Sequence, residues 1–432
     1  MGYSQSKTIP KHWEIGEIEN YLELIIDYRG KTPKKSSAGI RTLSARSVKN
    51  GRIDYSQAYF ISEKTFEEWE TRGKPKPGDV LLTTEGPLGE VAQLDTQRVA
   101  LAQRLIGLRG KENELDNAYL KYYLISPIGK NELLSKASGT TVQGIKQSEF
   151  RKIKLIKPPY KEQIAIAGIL SNLDAKIQLN QRMNCTLEAV GAAVFKRWFV
   201  DFEFPNEEGK PYKSSGGEMV PNEKLGKEIP KDWQVVEITE VVLIVDCLHS
   251  KKPHRTETGP LLLQVFNIDK IGYLDLSDPF SVSEEDYKYW TRNIEVKGGD
   301  CIITNAGRVG AIAQIPEGCH FGIGRNITAI RPNKISPTYL INYLQSEYGT
   351  DEIQKNVDSG TILDSLNVKG IIKIKILMPL QTILNNYDNL ARPLRKRIEI
   401  NNNQTFTLSQ IRDRLLPKLM SGKIRVTITK KK

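Results

Sequence analysis

"GDVLLTTEGPLGEVA", Gly78–Ala92, returns as "GDCIITNAGRVGAIA" at Gly299–Ala313, 221 residues further on. The glycines and the apolar positions persist, while the polar positions change. Working outward, "IPKHW" at Ile9–Trp13 returns as "IPKDW" at Ile229–Trp233, 220 residues later. "SGTTVQGIKQSEFRKIKLIKPP" at Ser138–Pro159 returns as "SGTILDSLNVKGIIKIKILMPL" at Ser359–Leu380, again 221 later. Anchors in one register make the chain two copies of a single unit, the kind of self-similarity to seek before any local structure.

Each copy has two parts. The first mixes short strands and helices. "GDVLLTT" and "GEVAQL" read as strands around a turn at Gly86 and Gly89, as do "GDCIITN" and "GAIAQI" around Gly307 and Gly310. "AYLKYYLIS" and "PTYLINYLQSE" have helical spacing, and "RKIKLIKP" and "IIKIKILMP" are β-rich runs ending at proline. The second part is one long helix. Leu170, Leu173, Ile177, Asn180, Asn184, Leu187 and Val194 fall at 3-4 spacing, as do Leu394, Ile398, Asn401, Thr405, Leu408 and Leu415. A sustained repeat of this kind marks a coiled-coil seam, where a buried Asn sets register and orientation. Pro393 predicts a kink or a late start in the second helix.

The expected fold is α/β (α+β): tandem-duplicated domains separated by long helices that pair as an antiparallel coiled coil, with pseudo-twofold symmetry. The expected boundaries are 1–157 for the first domain and 158–200 for the first central helix. A connector passing from ordered to loose, and not expected to be a core element, follows at 201–228, then the second domain at 229–378, the second helix at 379–422 and a basic tail at 423–432. Residues 161–199 would form a rod of about 58 Å at 1.5 Å per residue. Domains at opposite ends of such a rod would grip separated segments of a partner, and the helix would be a ruler.

The 432 residues exceed one ordinary core, and 39% hydrophobic with 26% charged is a folded composition. The net charge of +12 suits a polyanion partner and disfavours an acidic mimic of DNA. Cys185, Cys247, Cys301 and Cys319 show no C-x-x-C spacing, so no metal site is expected, and scattered thiols fit a cytoplasmic location. No apolar run is long enough for a membrane span, and the polar start is not a secretory signal.

Chemistry is hard to find. Lys157-Pro158-Pro159-Tyr160 resembles the Pro-Pro-Tyr of amino-methyltransferases, but a lysine cannot accept from a target amino group. The motif reads as punctuation between a strand and a helix, because proline suits a first helical turn. "FGIGRNI", Phe321–Ile327, lacks a third glycine. Asp278 with Asp286-Tyr287-Lys288 is a crude nuclease match without a counterpart in the first copy. No catalytic residue is assigned. A self-sufficient DNA methyltransferase or restriction enzyme is the alternative reading.

Binding residues gather at matching places. The first copy offers Arg29, Lys31, Thr32, Lys34, Lys35, Arg41 and Arg46, and the second offers Lys251, Lys252, His254 and Arg255. Such loops can hold phosphates and reach base edges. "LAQRLIGLR" adds Gln103 and Arg104, and "IGRNITAIR" adds Arg325 and Asn326, side chains suited to guanine and adenine. Thr140, Asn305 and Arg308, in the glycine-containing turns, complete the candidate readers.

Over essentially its full length the chain resembles the DNA specificity subunits of Type I restriction–modification enzymes. "IPKHW" and "IPKDW" open each half, "PPYKEQIAIAGILSNLDAKIQLNQRMNCTLEAVGAAVFKRWFVDFEF" closes the first, and "RLLPKLMSGKI", Arg414–Ile424, ends the second. The resemblance implies paired target-recognition domains, each reading half of a split double-stranded DNA site. It implies assembly with a pair of modification (methyltransferase) subunits, to which restriction subunits can be added. S-adenosylmethionine and Mg/ATP would belong to those partners, with no cofactor on this chain. One departure is the second helix start, which lacks the Glu-Gln pair of "PPYKEQ".

Overall fold

The computed structural model describes residues 9–28, 31–49, 51–96, 98–139, 142–268, 272–276, 278–360 and 364–426. The candidates Arg29 and Thr140 lie outside the described residues. The chain forms two compact units, Met1–Gln178 with Thr407–Lys432, and Leu179–Phe406.

In the first unit a four-stranded antiparallel sheet runs in the order Leu22–Asp27, Leu105–Gly110, Val80–Thr83, Val91–Gln93. In the second unit the order is Val242–Asp246, Ile327–Pro332, Cys301–Thr304, Ile312–Gln314. The repeated sequence therefore builds the repeated sheet, and its apolar runs are central strands: Val80, Leu81 and Leu82, like Cys301, Ile302 and Ile303, are wholly buried. Behind each sheet a smaller one contains a parallel pair, Ile40–Leu43 beside Val99–Leu101 and Leu262–Leu263 beside His320–Ile323.

The same polar devices fasten both copies. Arg109 Nε donates to Asp79 Oδ1 at 2.8 Å, and Arg331 Nε donates to Asp300 Oδ1 at 2.9 Å. Each buried carboxylate thereby ties a strand end to a neighbouring strand. Tyr119 donates to the Ile156 carbonyl at 2.7 Å and Tyr339 to the Leu377 carbonyl at 2.6 Å. Both bonds anchor the strand that leads into a long helix. Burial drives the hydroxyl pKa of both tyrosines well up.

The first long helix spans Tyr160–Phe195 and the second Gln381–Met420. Of the predicted seam, Leu170, Ile177, Asn180, Ile398 and Asn401 are buried, while Leu173, Leu187, Leu394, Leu408 and Leu415 are half-buried. Pairing is antiparallel within each unit. In the first, Arg425 bonds Glu162 at 2.9 Å and Arg412 bonds Asp174 at 2.9 Å. In the second, Asn180 reaches Gln404 at 2.9 Å and Asn184 reaches Asn402 at 2.7 Å.

Two expectations are corrected. The late start expected from Pro393 does not occur, since its helix runs unbroken from Gln381. Pro393 and Asn389, the residue whose carbonyl loses a donor, are both exposed, so water can satisfy that carbonyl. The 201–228 stretch does contribute to a core, contrary to expectation. Phe202 and Phe204 are buried, and Met219–Asn222 pairs with Lys227–Pro230 as an antiparallel hairpin. Phe204 stacks on Trp233 at 5.0 Å, giving the tryptophan an apolar cover. In the first copy Trp13 instead donates through Nε1 to Glu162 at 3.1 Å. Glu162 thus has a tryptophan to serve in the first copy, while Gln163 donates to the Glu114 and Pro158 carbonyls.

Candidate nucleic-acid interface

A parallel strand pair sends both chain exits out of the same sheet end. In the first unit Leu43 lies beside Leu101, so the segments carrying Arg46 and Gln103-Arg104 leave together. All three side chains are exposed. Arg104 adopts φ 67 and pairs with Glu85 at 3.4 Å. Further back, Arg41 lies over the Tyr55 ring at 5.5 Å and Lys35 over Tyr59 at 5.0 Å. Lys31, Thr32 and Lys34 are exposed in the loop that joins the strands. Cations resting on ring faces beside exposed cations make a surface suited to phosphates.

In the second unit Leu263 lies beside Ile323, so Arg325-Asn326 emerges next to Gln264–Asn267. Gly324 is required here, since a Cβ would meet Gln264 Nε2 at 2.5 Å and the Leu263 carbonyl at 2.8 Å. "FGIGRNI" is thus a strand, a tight crossing and another strand, His320–Ile323 then Ile327–Pro332, with no following helix to cradle a nucleoside cofactor. Lys251, Lys252, His254 and Arg255 are exposed. Lys252 sits 4.5 Å from the Phe280 ring centroid, and Arg255 donates to Asp278 and to the Pro279 carbonyl. The crude nuclease pattern dissolves accordingly: Asp278 holds Arg255, and the Asp286 backbone amide is capped by Ser283.

One candidate reader is committed inward, and another is tethered while its side chain stays exposed. Asn305 donates to Thr328 Oγ1 at 2.9 Å and to the Leu366 carbonyl at 2.8 Å. Arg308 donates to the Ile268 carbonyl at 2.6 Å. These bonds pin the loops behind the sheet end. Conversely, Phe266 escaped the sequence reading. It is 49% exposed in the turn that leaves Leu262–Leu263, at the place Arg46 holds in the first copy. Only alignment of the copies would have singled it out.

Pro158-Pro159 does sit between strand and helix. The amides of Glu162 and Gln163 donate to the Pro159 carbonyl at 2.8 and 3.1 Å, opening the helix. Lys157 pairs with Glu14 at 3.0 Å, so no acceptor stands where a methyltransferase needs one.

The family model of the Type I restriction modification DNA specificity domain matches residues 10–189. The MjaIX Type I specificity subunit of Methanocaldococcus jannaschii is 29% identical, with 97% of this chain and 95% of that protein covered. The MjaVIII specificity subunit from the same organism is 26% identical over 97% and 94%. The chain is thus similar to Type I specificity subunits over nearly its whole length. The crystal structure of a Type I restriction-modification S subunit from M. genitalium shares the fold, with a TM-score of 0.60, 16% identity and 99% of both chains covered. The self-sufficient enzyme reading finds no support among these relatives.

Burial pushes the Cys301 thiol up to about 12 and raises that of Cys319.

Proposed function

We propose that this chain recognises a double-stranded DNA target in two parts and directs methylation and cleavage by partner subunits, performing neither reaction itself. The carrying observation is the duplicated scaffold: the same sheet order and the same Asp–Arg fastening in both copies, with different polar side chains at the sheet end. A single fold presenting Arg46, Gln103 and Arg104 in one copy and Phe266, Arg325 and Asn326 in the other suits one half-site each. Full-length similarity to named specificity subunits supports the reading.

Two modification subunits and, in the nuclease form, two restriction subunits are the proposed partners, in the cytoplasm where the DNA is. S-adenosylmethionine and Mg/ATP are assigned to them. The paired helices set the gap between half-sites in this reading. Methylome sequencing of a host expressing the chain with its neighbouring modification subunit tests it, with an interrupted motif expected. A continuous motif, or methyl transfer by the purified chain alone, overturns the proposal.

A further inference from the structure

Asp246 ends a strand of the second sheet, and the basic loop with Lys251, Lys252, His254 and Arg255 follows directly. Next to it stand Cys247 and, two residues further on, His249. One carboxylate oxygen, the Cys247 sulfur and one His249 ring nitrogen all lie within 4.8 Å of one another. His249 Nε2 is 3.0 Å from Asp246 Oδ2. Tetrahedral bonds of the lengths Zn2+ makes to S, N and O separate ligand atoms by roughly 3.3–3.8 Å. The His249–Asp246 spacing lies just below that range, and the sulfur lies no more than 4.8 Å from either atom.

The surroundings orient the carboxylate. Asp246 Oδ1 accepts from the Cys247 amide at 2.9 Å and from Thr328 Oγ1 at 3.1 Å, which leaves Oδ2 on the side of His249. Thr328 Oγ1 in turn accepts from Asn305 at 2.9 Å. Bonds that fix the donors of a metal site from behind do this work in proteins generally. The imidazole is exposed, so an ion has an entry path and a fourth position for water.

We infer that Asp246, Cys247 and His249 form a site for Zn2+ or a transition ion of like preference, clipping the root of the second copy's basic loop to its sheet. The site rests on this geometry and not on the DNA reading. The first copy has no equivalent. Asp27 occupies the same sheet position, paired with Ile106 as Asp246 is with Thr328. Tyr28 follows it there and stacks on Trp69 at 4.9 Å, and "DYRG" contains neither Cys nor His. The loop roots of the two copies are thus held by different chemistry.

Titrating Co2+ into the chelator-treated full chain tests the inference. One equivalent should bind with a thiolate-to-cobalt charge-transfer band, and Zn2+ should displace it. Cys247→Ser and His249→Ala should each lose the band. Cys185→Ser/Cys319→Ser should keep it. The exposed His249 makes His249→Ala safe for folding, which a matching thermal transition verifies. No band in the parent chain, or a band that survives Cys247→Ser, overturns the site. DNA affinity measured with and without Zn2+ is a separate readout, so loss of metal binding and failure of the DNA reading are told apart.

Discussion

Asn401 donates through Nδ2 to Asn184 Oδ1 at 2.8 Å, while Asn180 reaches Thr405 Oγ1 at 3.4 Å. Shifting 180 and 184 by the repeat of 221 gives 401 and 405, so these contacts exchange into each other when the copies are swapped. Contacts that map onto themselves in this way are the mark of a local two-fold relationship. Asn401→Ala removes a buried donor and strands its partner, and should cost about 1–3 kcal/mol in urea unfolding. Asn180→Leu/Asn401→Leu should instead raise stability while relaxing the register, read by disulfide cross-linking across the seam.

Burial separates strong ion pairs from weak ones. Asp79 and Asp300 are 2% exposed, each facing an arginine. Asp79→Ala or Asp300→Ala should cost about 3 kcal/mol, because a guanidinium loses its partner in a largely dry site. Asp278→Ala, which breaks an exposed pair with Arg255, should stay within about 1 kcal/mol. Denaturant midpoints compare the three.

Asp174 supplies an acid limit. Burial pulls its pKa up, but bonds from Tyr122 and Arg412 and the charge of Lys121 outweigh it, leaving the carboxyl below its ordinary value. A depressed carboxylate stabilises the folded state above the unfolded pKa, about 3.9, and loses that contribution as pH falls through the folded value. Stability curves of the parent and Asp174→Asn should therefore differ at neutral pH and converge on acidification.

Lys227 works in the opposite direction. Its ammonium lies 4.7 Å from the Phe202 ring and 3.6 Å from the Tyr348 ring. Burial, helped by the charge of Lys213, lowers its pKa to about 8, although the ring faces favour the charged form and oppose part of that shift. The unfolded chain then holds the proton up to about 10.4, so stability should rise between about pH 8 and pH 10. Lys227→Met should flatten that rise, as thermal melts across the range would show.

At the interface, Lys251→Ala and Lys252→Ala should each weaken DNA binding across sequences and reduce the salt slope by about 1. Phe266→Ala should leave the salt slope unchanged and alter preference at the second half-site. Asn305→Ala should lower stability before it alters base preference, because its amide serves Thr328 and Leu366.

The sequence by itself determined the duplication, the strand runs and the seam, because periodicity and repeated anchors are local properties that a linear string carries. Leu170, Ile177, Asn180 and Asn401 were readable as one stripe without knowing what covered them. Only the tertiary structure decided which side chains face outward at the sheet ends. Asn305 and Phe266 show why: hydrogen-bond partners 23 and 61 residues away turn the first inward, and the turn Val265–Asn267 leaves the second exposed. The connector and Pro393 belong with them, since an aromatic cover for Trp233 and a solvated carbonyl are supplied by neighbours in space.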